Sequence, residues 1–154
     1  MEPDVSTPDQ VLLGAIRRQR ADLRDSISAL EMALAAPIPG RVQVWAERVH
    51  VALVELCGDF REHVEFTEGP GGLYRGLLTT APRLANAVSR LTREHAEIAG
   101  LLESLLARVG GAEGHDPDHV RDLGLVLLGR LIRHRQRGSD LVYEAYSVDV
   151  GGET

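Results

Sequence analysis

Three histidines, His63, His95 and His134, stand in this chain of 154 residues where the sequence pattern calls for apolar side chains. His63 follows Val42, Ala46, Val49, Leu53, Leu56 and Phe60 at alternating spacings of three and four. His95 falls between Leu91 and Ile98 in a similar run from Leu84 to Val109, and His134 follows Val120, Gly124, Leu127 and Leu131. Burying a neutral imidazole without partners for its nitrogens costs on the order of a few kcal/mol. One such residue is ordinarily a hydrogen-bonded core histidine. Three, on three separate helices, are more economically explained by a shared metal ion, because helical bundles build metal sites from inward-facing side chains. His95 lies fourteen residues before Val109 and His134 fourteen after Val120, so across an antiparallel turn the two stand level. Arg20 interrupts the first apolar run in the same way. Turn reckoning sets it about two helical turns from His63, so it is not assigned to the site.

Carboxylates narrow the metal. Glu68 follows His63 by five residues and Asp140 follows His134 by six. At about 100° per residue a regular helix swings Asp140 away from His134. A bulge at Gly138 would shift the phase by one residue and make both pairs His-x4-carboxylate. Mixed imidazole and carboxylate donors suit iron or manganese. Cys57 is the only cysteine, which excludes an intramolecular disulfide and a zinc thiolate cluster. Between Leu56 and Phe60 it reads as a buried spectator thiol.

The elements that must position these residues are four long helices. The breakers "APIPG" (36–40), "EGPGG" (68–72) and "GGAEGHDP" (110–117) separate four runs of apolar residues. The first run is Leu13, Ile16, Arg20, Leu23, Ile27, Leu30 and Leu34, and the others contain the three histidines. Such repeats mark helices packed along a seam, and short turns make neighbours antiparallel. The fold expected is an all-α, up-down four-helix bundle. Residues 73–83 ("LYRGLLTTAPR") exceed a plain turn and predict a short extra helix before Pro82, between the second and third long helices. Asp116-Pro117 and "TPDQ" are helix-start signals, and Gly40 and Gly110-Gly111 sit where helix ends favour positive φ. The domain expected is residues 10–147, with tails at 1–9 and 148–154.

Composition sets outer limits. Aromatics are 4% against 44% hydrophobic residues overall, which favours helices over a β-sandwich. A net charge of −6 argues against a phosphate-backbone-binding surface, although "RRQR" (17–20) and "RHRQR" (133–137) are local basic runs. Both lie within helical patterns and read as solvated faces, so no nucleic-acid partner is expected. No apolar run approaches the ~20 residues that span a membrane, and "MEPDVSTPDQ" is acidic where a signal peptide is basic. The expectation is a cytoplasmic protein without a membrane partner, monomeric or weakly dimeric. Among the remaining histidines, His50 is about 20 Å of helix axis from His63, and its pairing with Glu47 lacks the second such pair a ferritin-like site needs. His115 and His119, with Asp116 and Asp118, read as helix capping. "GPGG" lacks the GK[ST] ending of a phosphate loop.

"FREHVEFTEG" (60–69), "LTREHAEI" (91–98) and "HRQRGSDLVYEAY" (134–146) resemble the histidine motifs of hemerythrin-like, or HHE cation-binding, domains. "DLVY" (140–143) is similar to the Asp-x-x-Tyr that follows their fourth-helix histidine. The resemblance covers roughly residues 10–147 and is similar to stand-alone actinobacterial members of the family. It implies two iron ions in an oxo- or hydroxo-bridged non-haem centre, held also by two carboxylates. It further implies chemistry with hydrogen peroxide, dioxygen or nitric oxide, and catalase-like peroxide decomposition in particular. The chain departs from the pattern in three places. The first helix offers Arg20 or Gln19 for a histidine, Thr67 and Gly138 stand where glutamates are usual, and Leu91 and Ala99 replace a second third-helix histidine.

With fewer histidines, Tyr74 beyond the flexible "EGPGG" becomes a candidate ferric ligand, and Tyr143 a second. A half-buried tyrosine with its hydroxyl at the rim, or an open coordination position, are the alternatives. The metal set expected is therefore His63, Glu68, His95, His134, Asp140 and Tyr74. The competing functions are dioxygen or nitric oxide binding or iron buffering without turnover, a zinc or single-iron structural site, and a non-catalytic interaction bundle with hydrogen-bonded histidines.

Overall fold

Thr7 opens the first helix. Its Oγ1 accepts from the Gln10 backbone N–H at 3.3 Å, while Gln10 Oε1 accepts from the Thr7 N–H at 2.9 Å. This reciprocal capping box, with proline at the first helical position, launches α1 (Pro8–Ala35). The computed structural model describes residues 7–38, 40, 42–111 and 116–151. Beyond α1 it contains α2 (Val42–Glu68), the short α3 (Leu73–Thr80), one turn of 3₁₀ helix (Pro82–Leu84), α4 (Ala85–Gly110) and α5 (Pro117–Gly151). Among the described residues there is no strand, and no helix is long and apolar enough to cross a membrane.

The breakers act where the sequence places them. α1 stops before Ala36, α2 stops at Glu68, and the Asp116 carboxylate caps α5 by accepting from the Asp118 and His119 N–H groups. His115 lies outside the described residues. The expected short helix exists as α3, and the chain breaks at Ala81 before Pro82. Gly40 has φ +61 as expected at a helix end. Gly111 is extended instead (φ −69), and it is Gly71 (φ +70) that turns the chain between α2 and α3. The helical body is longer than the 10–147 domain, because α1 begins at Pro8 and α5 runs to Gly151.

The four seams face one another. α1 packs on α2, α4 on α5, α2 on α4 and α1 on α5, and α3 rests on α2 and α5. Their apolar residues fill one large cluster from Leu23 to Leu131, in which Leu30, Val49, Leu53, Leu56, Leu127 and Leu131 are wholly buried. Each such side chain contributes roughly 1.5–3 kcal/mol through removal from water. Gly124 allows a close approach here, since a Cβ on it would overlap Leu34 Cδ1 and force that side chain to move where α5 meets α1. Arg121 ties the same region together. It donates to the Leu34 and Ala36 carbonyls at the end of α1, and its guanidinium lies 5.2 Å from the Trp45 ring centroid. A second, smaller cluster joins Tyr74, Leu77, Leu84, Val88, Leu91 and Leu141. The three histidines fall where one cluster gives way to the other.

Candidate metal centre

His63 from α2, His95 from α4 and His134 from α5 converge. One ligating nitrogen of each lies within 4.8 Å of the others, and their ring centroids are 4.7 to 5.3 Å apart. His95 and His134 are buried and His63 is partly so. Burial holds all three neutral. The basicity of His63 falls to about 3, with the neighbouring His95 and His134 adding to the effect. His95 falls to about 3 for the same two reasons, burial and His134. His134 falls to about 4 by burial, with the Glu68 charge opposing.

Each imidazole has a partner on its Nδ1. His63 Nδ1 lies 2.9 Å from Gln19 Oε1 of α1, His95 Nδ1 lies 2.6 Å from Glu68 Oε2, and His134 Nδ1 lies 3.1 Å from Glu94 Oε1. Glu68 and Glu94 are acceptors only, which fixes the proton of His95 and His134 on Nδ1. Gln19 turns its Oε1 to His63, which gives His63 the same tautomer and leaves each Nε2 with the lone pair. The consequences are visible at Nε2. Those of His63 and His134 face each other at 3.1 Å, and that of His95 is buried with no hydrogen-bond partner. Two lone pairs at this distance repel, and an orphaned buried acceptor is costly. A cation at the meeting point removes both penalties. Metal–imidazole bonds of about 2.1 Å put neighbouring nitrogens on one ion roughly 3.0–3.5 Å apart, which the 3.1 Å pair matches. Orienting acceptors on the far nitrogen are the usual support for histidine ligands. The residues present therefore fit a metal ion.

The carboxylates are arranged differently from the sequence expectation. Glu68 is at the site but serves His95 rather than His63. Asp140 is not brought to it: α5 continues as one α-helix through Gly138 without a bulge, so Asp140 stays exposed and accepts from Gln136 at 3.0 Å. Glu94 takes the place next to His134. Its other oxygen is paired with Arg137, and its side chain is 14% exposed. Gln19 occupies the first-helix position, because α1 and α2 are registered further along than a symmetric turn gives. Ser26 meeting Asp59 is displaced in the same direction.

Tyr74 is buried in α3 with its ring stacked on His95, at 5.9 Å between centroids and 9° between planes. Burial raises the phenol above its ordinary range, with Thr67 as a hydrogen-bonding neighbour that opposes the shift. Thr67, where the resemblance expects glutamate, is buried and donates back to the His63 carbonyl at 2.9 Å. Tyr143 is 75% exposed and His50 lies near Gly110, both away from the cluster. Cys57, expected to be buried, is partly exposed; what burial it has raises its thiol, with the nearby Arg61 opposing.

A cavity of about 50 Å³ is lined in part by His63 and His134. Ile16, Leu23, Leu73 and Val142 supply apolar wall, with Tyr74 and Thr67 beside them and Arg20 and Arg135 also lining it. Its size suits a molecule of a few heavy atoms. Neither protein-family models, curated proteins nor solved structures yield a match to this chain.

Proposed function

We propose that the bundle holds a redox-active iron centre on His63, His95 and His134 that receives and decomposes hydrogen peroxide. The observation that carries this reading is the uniform polarity of the three imidazoles, each with Nδ1–H given to an outer acceptor and Nε2 turned inward. Iron is the metal proposed, because the donors in reach are imidazole, carboxylate and phenol, with no thiolate among them. When bound, iron supplies a Lewis-acidic, redox-active face open to a small oxidant.

The chain's own residues do the rest. Glu68 and Glu94 keep the protons on Nδ1 of His95 and His134 and make those imidazoles stronger donors, while the Gln19 amide does so more weakly for His63. The apolar cavity wall limits bulk water at the inward nitrogens. Tyr74, kept protonated by burial, offers a phenolic proton beside the rings.

The 3.1 Å between His63 Nε2 and His134 Nε2 supports one ion shared by those two, with the unpartnered His95 Nε2 as the third donor. The full two-iron centre of an up-down hemerythrin-like bundle, which the sequence motifs imply, needs further ligands. Glu68, Glu94 and Tyr74 are the oxygen donors at hand. The same three imidazoles with an open position are also a catalytic zinc set, which favours zinc as the second reading.

Metal analysis with a visible spectrum separates these. One or two irons per chain with near-ultraviolet charge-transfer absorption, and oxygen evolution on adding peroxide, are expected. Two irons select the bridged centre, and a colourless protein with one zinc selects the second reading. A folded protein that takes up no metal overturns both and leaves a bundle with hydrogen-bonded histidines.

A further inference from the structure

The two basic runs of the sequence meet at one place. α1 brings Arg20 and α5 brings Arg135 to the lining of the cavity that His63 and His134 also line. Arg20 is exposed and donates to Ser139 Oγ, so its guanidinium reaches from α1 to α5. Arg135 is only partly exposed, and its Nε is buried without a hydrogen-bond partner.

Among the described residues neither arginine has a carboxylate within ion-pair distance, whereas Arg130 and Arg137 are paired with Glu97 and Glu94. Most of the described arginines lack such a partner; what sets this pair apart is that both line the cavity and that Arg135 Nε is buried and unmet. A solvated surface explains Arg20 alone, but not a donor of Arg135 turned inward and left unmet.

Guanidinium donors match planar anions, and arginine presents them in a fork that one small oxyanion satisfies. The cavity limits the anion's size. About 50 Å³ is roughly four times what one water requires, which admits three or four heavy atoms. An anion of that size fits wholly within the volume, and neutral hydrogen peroxide has no need of the charge.

We propose that Arg20 and Arg135 form a binding site for a small planar monoanion of the formate or nitrite class, in the cavity that His63 and His134 also line. The inference deepens the reading above, by giving the charge and size of a ligand admitted to the centre. It rests on that reading only for what the two histidines hold.

The test is titration of the purified full chain with ¹³C-labelled formate, followed by the line width of the formate signal. It is run on the protein as isolated and after chelator treatment. Saturable binding is expected in both states, weakened by added salt and at least tenfold weaker in Arg20→Met and Arg135→Met. Arg108→Met, in the last turn of α4, should bind as the parent does. Circular dichroism checks each variant's fold, and Arg20, being exposed, serves if Arg135→Met does not fold. Absence of saturable binding, or Arg20→Met binding as tightly as the parent, overturns the proposal. Arginine-dependent formate binding in a protein that takes up no metal would uphold the anion site while refuting the iron centre.

Discussion

Two parts of the bundle solve opposite problems with the same helices. From Leu23 to Leu131 the seams carry mostly aliphatic side chains, and the large cluster they form is held by apolar packing. Where that cluster ends, the same seams place His63, His95 and His134, and every ring then needs a polar partner from outside the seam. On the proposed function, stability resides in the first region and the polarity of the second serves ligand binding. Exchanging the chemistry of one seam position in each region tests the division.

The largest effects come from that exchange. Leu53→Ala removes a wholly buried side chain from the large cluster and should cost about 2–5 kcal/mol, read as a lowered denaturation midpoint, with metal stoichiometry unchanged. His95→Leu should do the reverse. It removes one of three ligands and should abolish tight metal binding, yet leave the metal-free protein as stable as the parent or more so, because an orphaned Nε2 goes with it. If His95→Leu destabilises the metal-free bundle as much as Leu53→Ala does, the histidines are structural and the division fails.

The regions should also part company in acid. The unfolded chain protonates its histidines near pH 6.5, whereas burial holds His63 and His95 at about 3 and His134 at about 4. The folded values lie lower, so the unfolded state takes up protons first as pH falls. The stability associated with neutral imidazoles is present above about pH 6.5 and is lost between there and about pH 3–4. Thermal melting of the metal-free protein should show Tm falling through this window, and His95→Leu should flatten the decline. A Leu53→Ala protein should melt lower than the parent by a similar margin at each pH. An equal slope in His95→Leu and the parent would count against a buried neutral His95.

A smaller change is expected one step out from the metal. Glu94→Gln retains an acceptor for His134 Nδ1 but removes the charge that strengthens it and that pairs with Arg137. Loss of an outer-shell partner typically lowers metal affinity 10–100-fold. Competition with a chelator of known affinity measures it, and the fold should be unaffected. An unchanged affinity would mean that the Glu94 contact does not tune the centre.

What the sequence made legible follows the same division. Seam positions repeat every three or four residues, so the helices, the short α3 and the three inward histidines could be read from periodicity and breakers. Two properties escaped it. Register between α1 and α2 is not set by periodicity, and the real offset settles on Gln19, of the two first-helix residues the motif comparison offered, against His63. The outer partners lie off the seam. Gln19 and Glu94 each stand one residue before a seam position, about 100° around the helix, and reach the rings only because their side chains are long. The one signal pointing to Glu94 was its place beside His95 in "REHAEI", and a spacing rule that looked for carboxylates after each histidine passed over it.

The smallest effect should come from Asp140, and it separates spacing from geometry. The His-x4-carboxylate rule needed a bulge at Gly138 to bring Asp140 back to His134, and α5 has none. A regular helix turns six residues through about 600°, which sets Asp140 some 120° around the axis from His134. Its carboxylate instead accepts from Gln136 one turn back, on the exposed side. Asp140→Asn preserves that acceptor and should change metal affinity by less than twofold and stability by no more than about 0.5 kcal/mol, as surface substitutions do. The measurement is the same chelator competition used for Glu94→Gln. A tenfold loss in Asp140→Asn with none in Glu94→Gln would restore the bulged helix and make Asp140, not Glu94, the carboxylate that serves the centre.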